Sequence, residues 1–185
     1  MMQRVEGPEL VVELETGREG VMSPVGHDLR FRLESAWVAW EAGGALEAEA
    51  AAASLTLLGA LGPATPGVGR ALDPRALSAR DRAKITRSAA REVLESEAFP
   101  TLRLTLAPFD PAAGAAEGQL TLKGRAQPQP LRWHVEAGQV IVEAEIDQRR
   151  WGIRPFQAFF GALKVDPILR LRVSFPSPSA AEAPQ

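Results

Sequence analysis

Two histidines, His27 and His134, are the side chains best suited to proton transfer or metal binding, and neither has the company that such chemistry needs. Their placement relative to the acids does not give metal-ligand spacing. No serine lies in a nucleophile-elbow context, so no Ser/His/acid arrangement forms. The chain has no Cys, which removes thiolate nucleophiles, thiolate metal sites and disulfides. One catalytic reading survives as an alternative: His27 as general base, oriented by Asp28 or another acid, in an enzyme acting on a lipid-like substrate. Adjacent strand residues point to opposite faces, which argues against the His27–Asp28 pair. Gly67-Val68-Gly69 has the glycines of a phosphate loop but follows no clean strand and is not closed by Lys-Ser/Thr. The sequence therefore predicts no catalytic residue, no metal and no cofactor.

Charge offers little more. The 21 basic and 23 acidic residues leave no field to attract nucleic acid. Arg80, Lys84, Arg87 and Arg91 recur on one side of a helical run and are a candidate for peripheral contact with an anionic membrane. Asp81, Glu92 and Glu95 are interleaved with them, and a solvated face is the plainer reading.

The elements that would position a binding site are mostly strands. Leu10, Val12 and Leu14 alternate with polar or outward residues, as do Leu29, Phe31 and Leu33 with Asp28, Arg30, Arg32 and Glu34. Val38 and Trp40 lead through Gly43-Gly44 into Leu46, Ala48, Ala50 and Ala52, a predicted hairpin that Leu55 and Leu57 extend. A Gly/Pro-rich stretch from Gly59 to Pro74 predicts a long loop, a candidate lid. Ser78, three residues before Asp81, predicts a helix N-terminus. Ile85, Thr86, Ala89, Ala90, Val93 and Leu94 then form an apolar face. Pro100 ends that run, and Leu102, Leu104 and Leu106 begin a new alternation. Further strands carry Leu120 and Leu122; Leu131, Trp133 and Val135; Val140, Val142, Ala144 and Ile146; and Leu169, Leu171, Val173 and Phe175. Turns are expected at Pro111 to Gly118, Pro128-Gln-Pro130 and Ala137-Gly138. Phe156, Phe159, Phe160 and Leu163, at i, i+3, i+4 and i+7 after Pro155, predict a short helix or helical turn, packed into the core as the default reading or closing a barrel end as an apolar plug.

The fold class expected is all-β with one amphipathic helix inserted mid-chain: about eight antiparallel strands closing into a barrel. A single domain over 1–175 is expected, with a disordered tail at 176–185 rich in Pro, Ser and Ala. The Ala48, Ala50 and Ala52 row is small where neighbouring strands carry Leu, Val and Phe, so it leaves room for an apolar slot. The alternative is a filled barrel, a ligand-free interaction module. His27, by parity, faces inward at the start of its strand. The opening Met1 to Pro8 has no apolar signal-like region, so a cytoplasmic location is expected.

Four segments in order, Ser23 to Phe31, Leu94 to Pro100, Gly118 to Gly124 and Trp151 to Asp166, give the chain a resemblance to the YceI-like family, in its Gly-His-Asp branch. That resemblance implies a lipocalin-like eight-stranded antiparallel barrel that binds a polyisoprenoid, quinone-like or fatty-acyl molecule in an internal apolar channel, without catalysis, as a carrier or sequestering protein. The side chains then expected to line it are His27, Leu29, Phe31, Leu33, Ala48, Ala50, Ala52, Leu102, Leu104, Leu122, Val142, Ala144, Phe156, Phe160, Leu171 and Val173. A homodimer is a further expectation.

Overall fold

In the computed structural model the described residues are all except 1, 21–25, 42, 67–68 and 178–185, with backbone alone at 69, 158 and 159. The alternation of Leu29, Phe31 and Leu33 with arginines becomes strand β3 (Leu29–Leu33). Its apolar residues turn inward, while Arg30 and Arg32 reach Glu15 and Glu13 of β2 (Val11–Glu19) across the outer face, each at 2.6 Å. The same logic builds β1 (Gln3–Glu6), β4 (Ala36–Trp40) and β5 (Leu46–Ala51), with β4 and β5 forming the expected hairpin in the register Val38↔Ala48. Downstream lie β6 (Leu55–Thr65), β7 (Gly69–Asp73), β8 (Thr101–Leu106), β9 (Ala115–Leu122), β10 (Arg125–Glu136), β11 (Gln139–Asp147), the two-residue β12 (Gln157–Ala158) and β13 (Leu163–Pro176).

The strands pair antiparallel throughout, and the sheet runs β1-β4-β5-β8-β9-β10-β11-β13-β2-β3-β6-β7, with β12 beside β13. Its ends, β1 and β7, do not pair with each other. The eight-stranded closed barrel expected from the sequence is thus corrected, among the described residues, to an open path of twelve strands. Bends explain part of the larger count. A short 3-10 turn at Gly7–Glu9 separates β1 from β2, Glu34 and Ser35 separate β3 from β4, and a second 3-10 turn at Ala52–Ser54 separates β5 from β6. The run from Leu46 to Leu57 thus divides into β5 and β6, while β1 and β7 lie in stretches where no strand is expected from the sequence.

Three other expectations are corrected. The stretch from Gly59 to Pro74 is not a lid loop: most of it is β6 and β7, paired in a hairpin whose register shifts between Leu61 and Ala64. Pro63 is tolerated there because β6 is irregular at that point. Pro128-Gln-Pro130 is not a turn but part of β10. Its partner β9 holds that stretch on one side, whereas the β10–β11 ladder begins only at Arg132, so the prolines interrupt no bond on the other side. The buried Gln129 spans the gap, its Nε2 donating to Glu145 O at 3.0 Å. The third concerns the phenylalanines. A 3-10 turn at 148–151, β12 and a 3-10 turn at 159–161 replace the expected plug helix; the side chain of Phe159 lies outside the described residues.

The helix α1 (Ala79–Ser88) begins where Ser78 predicts, with Ser78 Oγ accepting from the Asp81 backbone N–H at 3.1 Å. It continues into a π-helical turn, Ala89–Val93. Thr86 Oγ1 accepts from the Leu57 N–H, and Arg82 donates to Leu58 O, so the helix is fastened to β6. The largest packed core lies elsewhere in the sheet. Trp40, Phe109, Trp151 and Phe175 are almost wholly buried there, and the Trp40 and Phe175 rings sit 4.9 Å apart. Of the expected tail, Pro176 closes β13 and Ser177 donates its N–H to Gly138 O; 178–185 lie outside the described residues.

Candidate functional site

Small and medium side chains on the inner face of β2, β3, β5, β8, β9 and β13 leave a cavity of about 770 Å³. Ala48 and Ala50 stand on β5 opposite Val38 and Ala36, and next to Leu104 and Leu102 of β8. None of these side chains is long enough to cross to Leu171 or Val173, so space remains. A cavity of this size is in the usual range for a site that buries a small molecule.

Of the sixteen residues expected to line a channel, the structure brings twelve to this cavity: His27, Leu29, Phe31, Leu33, Ala48, Ala50, Leu102, Leu104, Leu122, Phe156, Leu171 and Val173. Four lie elsewhere. Ala52 is fully buried in the turn between β5 and β6, its N–H donating to Pro100 O, because the bend that follows Ala51 ends the alternation of β5. Val142 is buried in the packed core beside Trp40 and Trp133. Ala144 belongs to the same core and borders a separate hollow of about 710 Å³. That hollow is lined by paired charges, Arg30 with Glu15 and Arg172 with Glu143. Phe160 is wholly in solvent, with its backbone at φ 55°.

Part of the lining has no place in the sequence-based list. Leu77, just before the helix, and Ile85, Ala89 and Val93 of the helical segment form one wall; Leu77, Ile85 and Ala89 pack in the cluster around Phe31 with Leu29 and Leu33. The signal was the helix's apolar face; its spacing shows that the face is covered and not what covers it. Thr16 also lines the cavity, one step along the alternation Val12, Leu14, Thr16. It lies between Leu29 and Leu169 in the sheet, and its Oγ1 is buried with no hydrogen-bond partner among the described residues. An orphaned hydroxyl facing an apolar space is costly unless something that enters the space satisfies it.

One rim of the cavity forms where β2 ends and β3 and β13 begin. Arg18, His27, Phe156, Leu163 and Lys164 meet there. His27 is exposed at this mouth. Gly26, just before it, packs closely on the rim: a Cβ there would stand 2.7 Å from Leu163 Cδ1 and displace that side chain, and the Gly26 carbonyl accepts from Arg18. Asp28 faces away from His27 and is held by Arg70 at 2.6 Å and Arg18 at 3.6 Å. No hydrogen bond or ion pair joins the His27 imidazole to an acid among the described residues, so the arrangement offers no oriented general base. At the adjoining turn, the Arg149 guanidinium holds the Asp147 carboxyl below its ordinary range. Arg80, Lys84, Arg87 and Arg91 are exposed, Arg91 lying 3.7 Å from Glu97.

A family model described as the YceI-like domain matches residues 30–175. No curated protein matches the chain. Among solved structures, a polyisoprenoid binding domain from Saccharophagus degradans, implicated in plant cell wall breakdown, superposes with a TM-score of 0.53 at 10% identity, covering 96% of this chain and all of that one. BcnA of Burkholderia cenocepacia superposes with a TM-score of 0.52 at 13% identity, over 89% of this chain and 94% of its own. At these identities the likeness is one of fold.

Proposed function

The chain belongs to the YceI-like domain family, and from that premise we propose that its interior cavity binds one long apolar chain of the isoprenoid type, as a carrier or sequestering protein and not as an enzyme. The observation that carries this reading is the cavity of about 770 Å³, walled by leucines, Phe31, Ala48 and Ala50 on strands and by Ile85 on the helix. Each methylene moved from water into such a space contributes about 0.8 kcal/mol, so affinity grows with tail length. The polar atoms at one end set the orientation. Thr16 Oγ1 lacks a partner among the described residues, and His27 offers a donor and an acceptor at the mouth. A chain with a hydroxyl, carbonyl or phosphate at one end would satisfy both, which favours a prenyl alcohol, prenyl phosphate or quinone-like molecule over a plain hydrocarbon. The structural neighbour named for polyisoprenoid binding supports the same class.

Native mass spectrometry of gently purified protein, with lipid extraction, tests the reading directly. Delipidated protein titrated with a long isoprenoid is expected to saturate near one molecule per chain. Absence of saturable binding to any of several chain types, isoprenoid, quinone and fatty-acyl, overturns it.

A further inference from the structure

Between Asp147 and Asp166 the chain carries Arg149, Arg150, Arg154 and Lys164 and not one acidic residue, although its formal net charge is −2. Within this segment Phe156 stands at the cavity rim and is 47% exposed, and Phe160, four residues on and outside the cavity lining, is 113% exposed. Phe160 is unfavourable twice over: its ring has no protein neighbour to shield it, and its backbone sits in the left-handed region at φ 55°, which a bulky side chain adopts at a cost. Two cations belong to the same stretch: Arg154 is two residues before Phe156 in sequence, and Lys164 pairs with Gln157 across the β12–β13 ladder; neither has an ion-pair partner among the described residues. The acids nearby are Glu19, opposite Lys164 in the ladder, Asp28, bound to Arg18 and Arg70, and Asp166, which packs against Gly17. Exposed aromatics beside free cations are what a bilayer interface favours, with rings at the headgroup level and positive charge drawn to anionic lipid.

We propose that this rim docks on an anionic lipid bilayer, with Phe160 and Phe156 entering the boundary between headgroups and acyl chains. Arg154 and Lys164 then lie on the lipid phosphates, and the mouth of the cavity faces the membrane. The inference stands on surface residues and does not depend on what the cavity holds.

Delipidated full-length protein is sedimented with vesicles of phosphatidylcholine alone and of phosphatidylcholine mixed with phosphatidylglycerol. Association with the mixed vesicles is expected, weak on the neutral ones and falling as salt is raised. The double variant Arg154→Glu/Lys164→Glu should bind the mixed vesicles at least about tenfold less well, since each reversed cation costs more than a removed one. Phe160→Ser should lose a similar factor, whereas Phe160→Trp should retain binding and shift its emission to the blue on vesicles. Melting temperatures equal to the parent's confirm that the exposed substitutions leave the fold intact. Equal association with both vesicle types, none with either, or full binding by Phe160→Ser overturns the proposal. So do a dimer lost in Phe160→Ser, which assigns the rings to a second copy of the chain, and faster isoprenoid release by that variant without vesicle association, which makes the segment a lid. A failed isoprenoid titration leaves the vesicle result standing, and the converse holds.

Discussion

The same sheet is solid at one end and hollow at the other. Around Trp40, Phe109, Trp133 and Phe175 the inner face is filled, with Phe109 and Trp133 rings 5.6 Å apart and Val140 fully buried. Around Ala48, Ala50, Leu102 and Leu171 the inner face follows the same alternation and leaves about 770 Å³. Polarity is alike in the two regions; side-chain volume is not. Aromatic rings reach across the interior where alanines and leucines fall short, so one face of one sheet supplies both a stabilising core and a site.

If that division is right, equal truncations should cost unequal amounts. Phe175→Ala at the packed end is expected to lose about 3–5 kcal/mol in chemical denaturation, because it opens a void that neighbours cannot fill. Leu171→Ala, beside space that already exists, should cost well under half of that; comparable losses would erase the distinction. Ala50→Trp inverts the experiment. The ring would occupy the empty region, abolishing isoprenoid uptake while leaving the melting temperature of the empty protein nearly unchanged. A fall of several degrees instead would mean that the hollow end is packed as tightly as the other.

Smaller effects sharpen the picture at the polar end. Thr16→Val removes a buried hydroxyl that has no partner among the described residues, so the empty protein should gain about 1 kcal/mol of stability while binding of hydroxyl- or phosphate-headed chains weakens. His27→Ala should weaken such ligands by about 1 kcal/mol, leave a hydrocarbon of equal length unaffected and leave unfolding unchanged. Loss of stability with equal losses for both ligands would make His27 a structural residue. The smallest effect is electrostatic. Arg149 lowers the Asp147 carboxyl pKa in the folded protein, so the pair contributes stability above the ordinary aspartate pKa and loses it as pH falls through the lowered value. Arg149 is well exposed, so solvent screens the pair and the contribution is small. Acid titration of Asp147→Asn against the parent should show the difference shrinking at low pH.

Much of this architecture was legible in the chain. Alternation in Leu29-Arg30-Phe31-Arg32-Leu33, the Ser78 cap and the switch of period at Pro100 each rest on a local rule that tertiary structure did not override. The misread places are those where a distant partner decides. Pro128 and Pro130 look like turn residues until β11 is seen to begin its pairing after them, and the glycines of β6 look like a loop until β7 closes the hairpin. Phe156, Phe159 and Phe160 have helical spacing, yet Gly161 at φ 85° and the short β12 take the backbone elsewhere. For the site, parity placed residues on the inner face correctly but carries no information about depth, so Val142 and Ala144 were grouped with Leu171 and Val173 although they lie in the filled half. The helical wall was missed for a related reason: periodicity reports one covered face and not its neighbour.

That wall also bears on time. A strand can leave its place only by breaking hydrogen bonds to the strands beside it, whereas α1 carries its backbone bonds within itself. It is tied to β6 by side chains, through Thr86 to the Leu57 N–H and Arg82 to Leu58 O. Lifting it would uncover Ile85 and Ala89 and leave the ladder whole. For a chain bound as proposed, residence would then follow how often those two ties release together, and substitutions at Thr86 or Arg82 would shorten it without altering the shape of the cavity.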